Sequence, residues 1–274
     1  MKTRIVTGLI FGIVLIGSIF LSSYSFLLLL LAILLIGLHE YLRLVKAIEI
    51  APAIVPTYLL NLSALASFVL VPVAWQAGVM GLHEWYLGAG VFSALILSLL
   101  VGEVFRAKSK PFENVAAAIF SLFYLAIPLG LLLGSTIDEQ GEYSPVQALF
   151  FFLFMWASDT GAYFTGMFFG RHKLLERLSP KKTIEGFIGG IVFSMLTGWA
   201  AFHFIGNHSA PVWICGGAVL SCTGALGDLF ESMLKRQAGV KDSGNILPGH
   251  GGVLDRFDST FLAAPVYFFL IHAL

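Results

Sequence analysis

Three aspartates, Asp228, Asp255 and Asp258, have the spacing to hold a divalent cation. Asp255 and Asp258 are three apart, so a helix beginning near them would turn both carboxylates to one side. Asp228 ends the apolar run that precedes them. An oxygen-rich cluster of this kind suits Mg²⁺, which keeps several waters and binds substrate phosphates. Asp255 also has a plainer reading, a helix-capping aspartate stabilised by the helix dipole. Lys235, Arg236 and Lys241 follow closely, interleaved with Glu231 and Asp242. Such cations offset phosphate charge, and Arg offers two parallel hydrogen bonds to phosphate oxygens. Charge sorting at a membrane explains cations at this edge, but not their interleaving with acids. Pro248-Gly-His-Gly-Gly252 is a turn whose glycines let backbone amides approach a phosphate. His250 is placed to donate to a phosphate oxygen or to protonate a phosphate leaving group.

A second polar stretch reads Ser179-Pro-Lys-Lys-Thr-Ile-Glu-Gly186. Lys181, Lys182 and Thr183 are good phosphate partners at a helix N-terminus, itself an anion site. Capping is the rival reading for Ser179, with Pro180 at the first helical position and Lys182 where a capping box would want Glu. Asp159 lies inside an apolar run, twelve residues before Arg171, which is about 18 Å along a helix. A carboxylate at that depth is costly, so it must face a polar cavity or a polar partner.

The elements that position these residues are membrane helices. The chain has 274 residues, 58% hydrophobic and 12% charged, where a soluble domain carries about 25% charge. Its mean hydropathy is +0.88. Nine apolar runs are long enough to be read as spans. They are Ile5–Leu21, Tyr24–Leu38, Ala53–Ala74, Trp85–Gly102, Val115–Gly134, Pro145–Gly170, Gly186–Ile205, Ala210–Gly227 and Phe257–Leu274. The first two are joined so tightly that a hairpin or partly re-entrant pair is also open. No strand alternation is visible, so the fold class is all-α: a polytopic transmembrane bundle.

With nine spans, the five clusters of Lys and Arg share one side: Lys2/Arg4, Arg43/Lys46, Arg106/Lys108/Lys110, Arg171–Lys182 and Lys235–Arg256. The connections Ser22–Ser25, Gln76–Glu84, Ser135–Ser144 and Asn207–Ser209 hold no Lys or Arg. The basic side, with the N-terminus, is then cytoplasmic. The start of the chain resembles a signal peptide, but no small-residue cleavage site follows Leu21, so it reads as an uncleaved anchor. Residues 1–140 form N-terminal membrane helices, and 141–274 form the region with the polar, chemistry-bearing loops. Net charge is zero, giving no sign of a nucleic-acid partner. Cys215 and Cys222 look like small buried hydrophobes. The Phe150–Phe154 run is lipid-facing or core, and His39, His83, His203 and His272 carry no role.

The segment from Ser232 to Asp258, with its Lys235-Arg236 start, Lys241-Asp242 pair, Pro248-x-His-Gly-Gly252 turn and Asp255-Arg-x-Asp258 end, closely resembles the signature of the phosphatidate cytidylyltransferases, or CDP-diacylglycerol synthases. The likeness continues through Asp159-Thr-Gly-Ala-Tyr163 and Ser179–Gly186, covering the C-terminal 120 residues. The N-terminal 140 match only as generic spans. The resemblance implies an integral enzyme of the cytoplasmic membrane that condenses CTP with phosphatidic acid, giving CDP-diacylglycerol and pyrophosphate. It implies Mg²⁺, with a second cation left open, held by Asp228, Asp255 and Asp258. Catalytic roles fall to Asp228, Lys235, Arg236, His250, Asp255 and Asp258. Substrate contacts fall to Asp159, Ser179, Lys181, Lys182, Thr183, Glu185, Ser232, Lys241, Asp242, Gly249, Gly251, Gly252 and Arg256. Oligomeric state, homodimer included, is open.

Two other readings compete. A transporter would use Asp159 and Asp228 for ions, yet this leaves two cation- and glycine-rich loops unexplained, and no inverted repeat is visible. Another lipid-phosphate enzyme, such as a CTP-dependent polyprenol kinase, is the nearer alternative. A CDP-alcohol phosphotransferase would carry Asp-Gly-x-x-Ala-Arg, which is absent.

Overall fold

Long apolar runs must satisfy their own backbone amides, and helix is the way a single segment can do so. The structure, a computed structural model, describes residues 2–76, 82–138, 141–206, 208–246, 249 and 251–272. In order, the helices are α1 (Lys2–Leu21), α2 (Ser23–Ala47), α3 (Ile54–Gln76), α4 (Leu82–Arg106), α5 (Pro111–Ser121), α6 (Ile127–Gly134), α7 (Pro145–Phe169), α8 (Ile184–Phe204), α9 (Ala210–Gln237) and α10 (Leu254–His272). Among the described residues, five helical stretches are long and apolar enough to cross a membrane: Ser23–Ala47, Gly88–Arg106, Pro111–Gly134, Ile184–Phe204 and Ala210–Gln237. The molecule is a helical membrane protein.

The helix ends depart from the apolar runs. α2 continues nine residues beyond Leu38, and α9 ten residues beyond Gly227. Charged residues end a hydropathy run but are good helix formers, and Glu231 pairs with Lys235 one turn on. Asp228, Glu231, Ser232, Lys235 and Arg236 therefore lie on a helix rather than in a loop. The α1–α2 connection is the single residue Ser22. Its hydroxyl accepts from Ser25 N, and the Ser25 hydroxyl lies 2.9 Å from Ser22 N, a reciprocal capping box.

A feature absent from the sequence expectation is a hairpin, β1 (Lys173–Leu175) with β2 (Ser179–Thr183), paired antiparallel between α7 and α8. Ser179 thus starts a strand, and the capping expectation for it fails. A residue before proline is pushed out of helical geometry. Thr183 is the N-cap instead, its hydroxyl accepting from Gly186 N at 3.1 Å.

Between α5 and α6 lies a π-helical turn, Leu122–Ala126. Pro128 has no N–H for the preceding turn, and the ladder widens so that Ile127 N reaches Leu122 O. The turn aims Tyr124 into an aromatic cluster with Tyr41, Phe120, Phe230 and Phe261. Phe150, Phe151, Phe152 and Phe154 are buried, which resolves that run as core. Cys215 is exposed and Cys222 half-buried, against the expectation of buried thiols. Both lie on a face of α9 that the other described residues leave partly uncovered.

Small residues let α7, α8 and α9 approach closely. A methyl group added at Gly161 would lie 2.7 Å from the Phe193 ring, and one at Gly190 would lie 2.9 Å from Ser158 O. The Ser158 and Ser221 hydroxyls meet at 2.7 Å, and Ser194 donates to Gly217 O at 2.7 Å. Gly190→Val should lower stability by about 1–3 kcal/mol through overpacking. Thermal unfolding in detergent reads this. Gly12→Val, at a position with no neighbour within 4 Å, should leave the midpoint unchanged.

Candidate active site

At one end of the bundle, the polar side chains of α7, the hairpin, α9 and α10 sort into two groups. The first is open. Lys182, from β2, reaches across to α9, its Nζ 2.5 Å from Asp228 Oδ2. Ser232, one turn on, donates to Asp228 Oδ1 at 3.3 Å. The Asp258 carboxyl interacts electrostatically with Asp228, Asp159 and Lys182, and Asp159 with Lys182 and Arg256. These groups border two cavities. One, of about 390 Å³, lies between α7, α8 and α9, with Lys181, Lys182, Thr183 and Asp228 in its wall. The other, of about 230 Å³, lies between α1, α7 and α10, with Arg256 and Asp258 in its wall. Asp159, Met155 and Ser259 belong to both. Asp159 is exposed, but to this interior space, as its position deep in an apolar helix requires.

The second group is closed. Lys235 is nearly buried and sits between two carboxylates. It pairs with Glu231 on its own helix, and with Asp255 Oδ1 at 2.6 Å. Asp255 Oδ2 accepts from Ser243 N at 2.9 Å, from the Ser243 hydroxyl at 2.9 Å and from Gly252 N at 2.7 Å. Each oxygen of Asp255 is therefore engaged by the protein. This corrects the expectation that Asp255 and Asp258 face one side with Asp228: Asp255 turns toward Lys235 and the loop. Asp255 stands in the first turn of α10, where the helix dipole favours an acid, but its oxygens take the Lys235 ammonium and the loop amides of Ser243 and Gly252. Among the described residues, no three His, Cys, Asp or Glu side chains form a ready metal cluster. Lys235 and Asp255 border neither cavity.

The remaining predicted residues divide similarly. Arg236 is exposed, its guanidinium donating to Val240 O at 3.1 Å. Lys241 and Asp242 are exposed on the loop. Gly249 and Gly251 have φ of 78° and 82°, a conformation that side chains other than glycine's resist. Glu185 faces the hairpin: it accepts from Arg171 N at 3.0 Å and pairs with the His172 ring at 2.6 Å. His250 and Pro248 lie outside the described residues.

Sequence reasoning missed Glu40. It lies on α2, is fully buried, and accepts from Val253 N, Leu254 N and the Ser243 hydroxyl at 3.1, 2.9 and 3.0 Å. The signal was present, a carboxylate where an apolar helix continues. Ser243, Ser158 and Ser221 were also passed over, and small hydroxyls in apolar surroundings give no pattern to read.

The fold and the site together define a helical membrane protein whose cavities mix carboxylates with lysine and arginine side chains. A model of the cytidylyltransferase family matches residues 2–274. The chain belongs to this family. Relatives from Bacillus subtilis and Staphylococcus epidermidis, both named phosphatidate cytidylyltransferase, are 31% and 37% identical. They cover 99% and 97% of this chain and 97% of their own lengths. A Staphylococcus aureus protein of the same name is 45% identical over 157 residues, and there the match spans 57% of this chain and 58% of the relative. The likeness therefore extends through the N-terminal helices, beyond the C-terminal 120 residues whose motifs first suggested it.

The hairpin carries Lys181 and Lys182 and hangs on Glu185. Glu185→Gln should speed backbone hydrogen exchange across residues 171–183 by about tenfold or more, with α9 amides unchanged. Equal exchange in both proteins would show that the strand pairing alone holds it.

Proposed function

We propose that this protein condenses CTP with phosphatidic acid to form CDP-diacylglycerol and pyrophosphate. The observation that carries the reading is the Lys182–Asp228 contact at the wall of a cavity framed by apolar helices. Phosphate-binding cations and metal-suited carboxylates meet there within reach of a lipid. The relatives' shared name points the same way.

In the reaction, a phosphate oxygen of the lipid attacks the α-phosphorus of CTP. The new P–O bond forms as the bond to the β-phosphate breaks, and pyrophosphate leaves with the electron pair. The nucleophile is already anionic, so positioning and charge neutralisation carry the work rather than a strong base. Lys181, Lys182 and Arg256 bring cations to the two cavities, and Thr183 caps the helix whose N-terminus faces the larger one. Asp159, at the junction, borders the space where the two phosphates would meet.

The donor set fits Mg²⁺. Asp159, Asp228 and Asp258 crowd three carboxyl groups around Lys182 and Arg256, and such oxygens favour an added cation. Asp228 and Asp258 would hold it, alongside the phosphate oxygens of the substrates. Bound there, it supplies charge neutralisation at the phosphates. Asp255 then serves by fixing Lys235.

The nine apolar helical rods are read as nine spans: α1, α2, α3, α4, α5–α6 together, and α7 to α10. All five basic clusters then share the end that bears the site, which faces the cytoplasm. CTP arrives from solution there, and the lipid headgroup arrives from the adjoining leaflet.

The test is purified protein in detergent with labelled CTP, phosphatidic acid and Mg²⁺. Pyrophosphate release should require the lipid and stop with chelator. Release of CDP together with a newly phosphorylated lipid would instead mark a kinase. Asp258→Asn should raise the Mg²⁺ needed for half-maximal rate by about tenfold or more. Lys182→Met should raise KM for CTP and leave that Mg²⁺ requirement in place. An Asp258→Asn enzyme with the parent's Mg²⁺ dependence would overturn the cation site.

A further inference from the structure

The signature loop between α9 and α10 runs for sixteen residues, Ala238 to Val253, with no regular structure of its own among the described ones. Its shape must come from contacts. One set comes from Asp255, at the head of α10. The other comes from the far end of the sequence. Glu40, in α2, accepts from Val253 N, Leu254 N and the Ser243 hydroxyl. It therefore binds the loop at Ser243 and at its last residue, Val253, together with the first residue of α10, more than 200 positions away in sequence.

The fit around this carboxylate is close. Gly244 and Gly252 both press on it, and a methyl group at either would overlap the Glu40 oxygens. The Ser243 hydroxyl lies between Glu40 Oε2 and Asp255 Oδ2, at 3.0 and 2.9 Å. Asp255 in turn meets Lys235, and Lys235 meets Glu231. A continuous polar chain thus runs from α2 through the loop and α10 to α9. A buried carboxylate with amide and hydroxyl donors gathered on it is costly to leave half-satisfied, so the chain holds as one unit.

We propose that Glu40 is the positioning residue of the signature loop. It fixes the loop backbone and the first turn of α10, and so sets where Asp258 and Arg256 stand at the cavities. It touches neither cavity itself. The proposal rests on the reading that those two residues face the reacting phosphates. The latch itself is measurable without turnover.

Three variants test it in the full-length protein in detergent: Glu40→Gln, Glu40→Asp and Ser243→Ala. The first readout is trypsin cleavage after the exposed Lys241, compared with cleavage in the hairpin at Arg177. In Glu40→Gln, Lys241 cleavage should quicken about tenfold while Arg177 cleavage holds steady. The second readout is kinetics. Glu40→Gln should lower kcat by about 10–100-fold, the scale of lost supporting contacts, with smaller changes in KM for CTP and lipid. Glu40→Asp, which keeps the charge, should recover part of kcat, and Ser243→Ala should fall on the same side with a smaller loss. Unchanged Lys241 cleavage in both Glu40→Gln and Ser243→Ala would overturn the latch. Equal acceleration at Lys241 and Arg177 would overturn it too, by showing general loosening. Faster Lys241 cleavage with the parent's kcat would keep the latch and refute the link to the reacting centre. If Glu40→Gln does not fold, Ser243→Ala and Glu40→Asp carry the same comparisons.

Discussion

A nearly buried lysine held between two acids is the interaction on which this end of the molecule depends. Lys235 belongs to α9, Glu231 sits one turn before it, and Asp255 comes from α10. Removing charges from water is expensive, and mutual attraction offsets that only where geometry is good and remaining valences are filled. At Asp255 they are filled by backbone amides of the loop, whereas the buried Glu231 has Lys235 alone for a partner among the described residues. The consequence is structural before it is chemical. α9 and α10 are locked together at one end, and Asp228, two turns back along α9, and Asp258, one turn on along α10, are held in register at the cavity walls.

That division of labour separates residues that a sequence motif places side by side. Asp255 and Asp258 are one helical turn apart, yet one faces a dry ion pair and the other a cavity. The same holds along α9, where Asp228 meets Lys182 in the open and Lys235 lies in the interior. A compact signature therefore encodes a support and a working face together. The support needs acids and amides in strict geometry, whereas the working face needs charges that solvent and ligands can reach.

Much of this was legible in the residues. The apolar runs located every helix, because lipid leaves the backbone no alternative. Asp159 borders both cavities, one of the two alternatives, cavity or polar partner, that its depth in an apolar run left open. What was not legible is pairing at long range. Nothing near Glu40 in the sequence announces that loop amides some 200 residues later will need an acceptor. The hairpin was missed because its strands are only three and five residues long, and neither Lys173-Leu-Leu175 nor Ser179-Pro-Lys-Lys-Thr183 alternates apolar with polar. Helix ends were misplaced because hydropathy stops at the first charge, while the hydrogen-bond ladder does not.

The single-residue joint at Ser22 has a mechanical meaning. α1 walls the smaller cavity with Thr7, Gly8 and Phe11, while α2 bears Glu40. With one serine between them, and that serine bonded on both sides to Ser25, the two helices have little slack with which to tilt independently. A ligand that pushes α1 outward must therefore lever α2 with it. The first hairpin of the chain is in this sense a stiff arm, joining the chamber wall to the carboxylate that steadies the far loop.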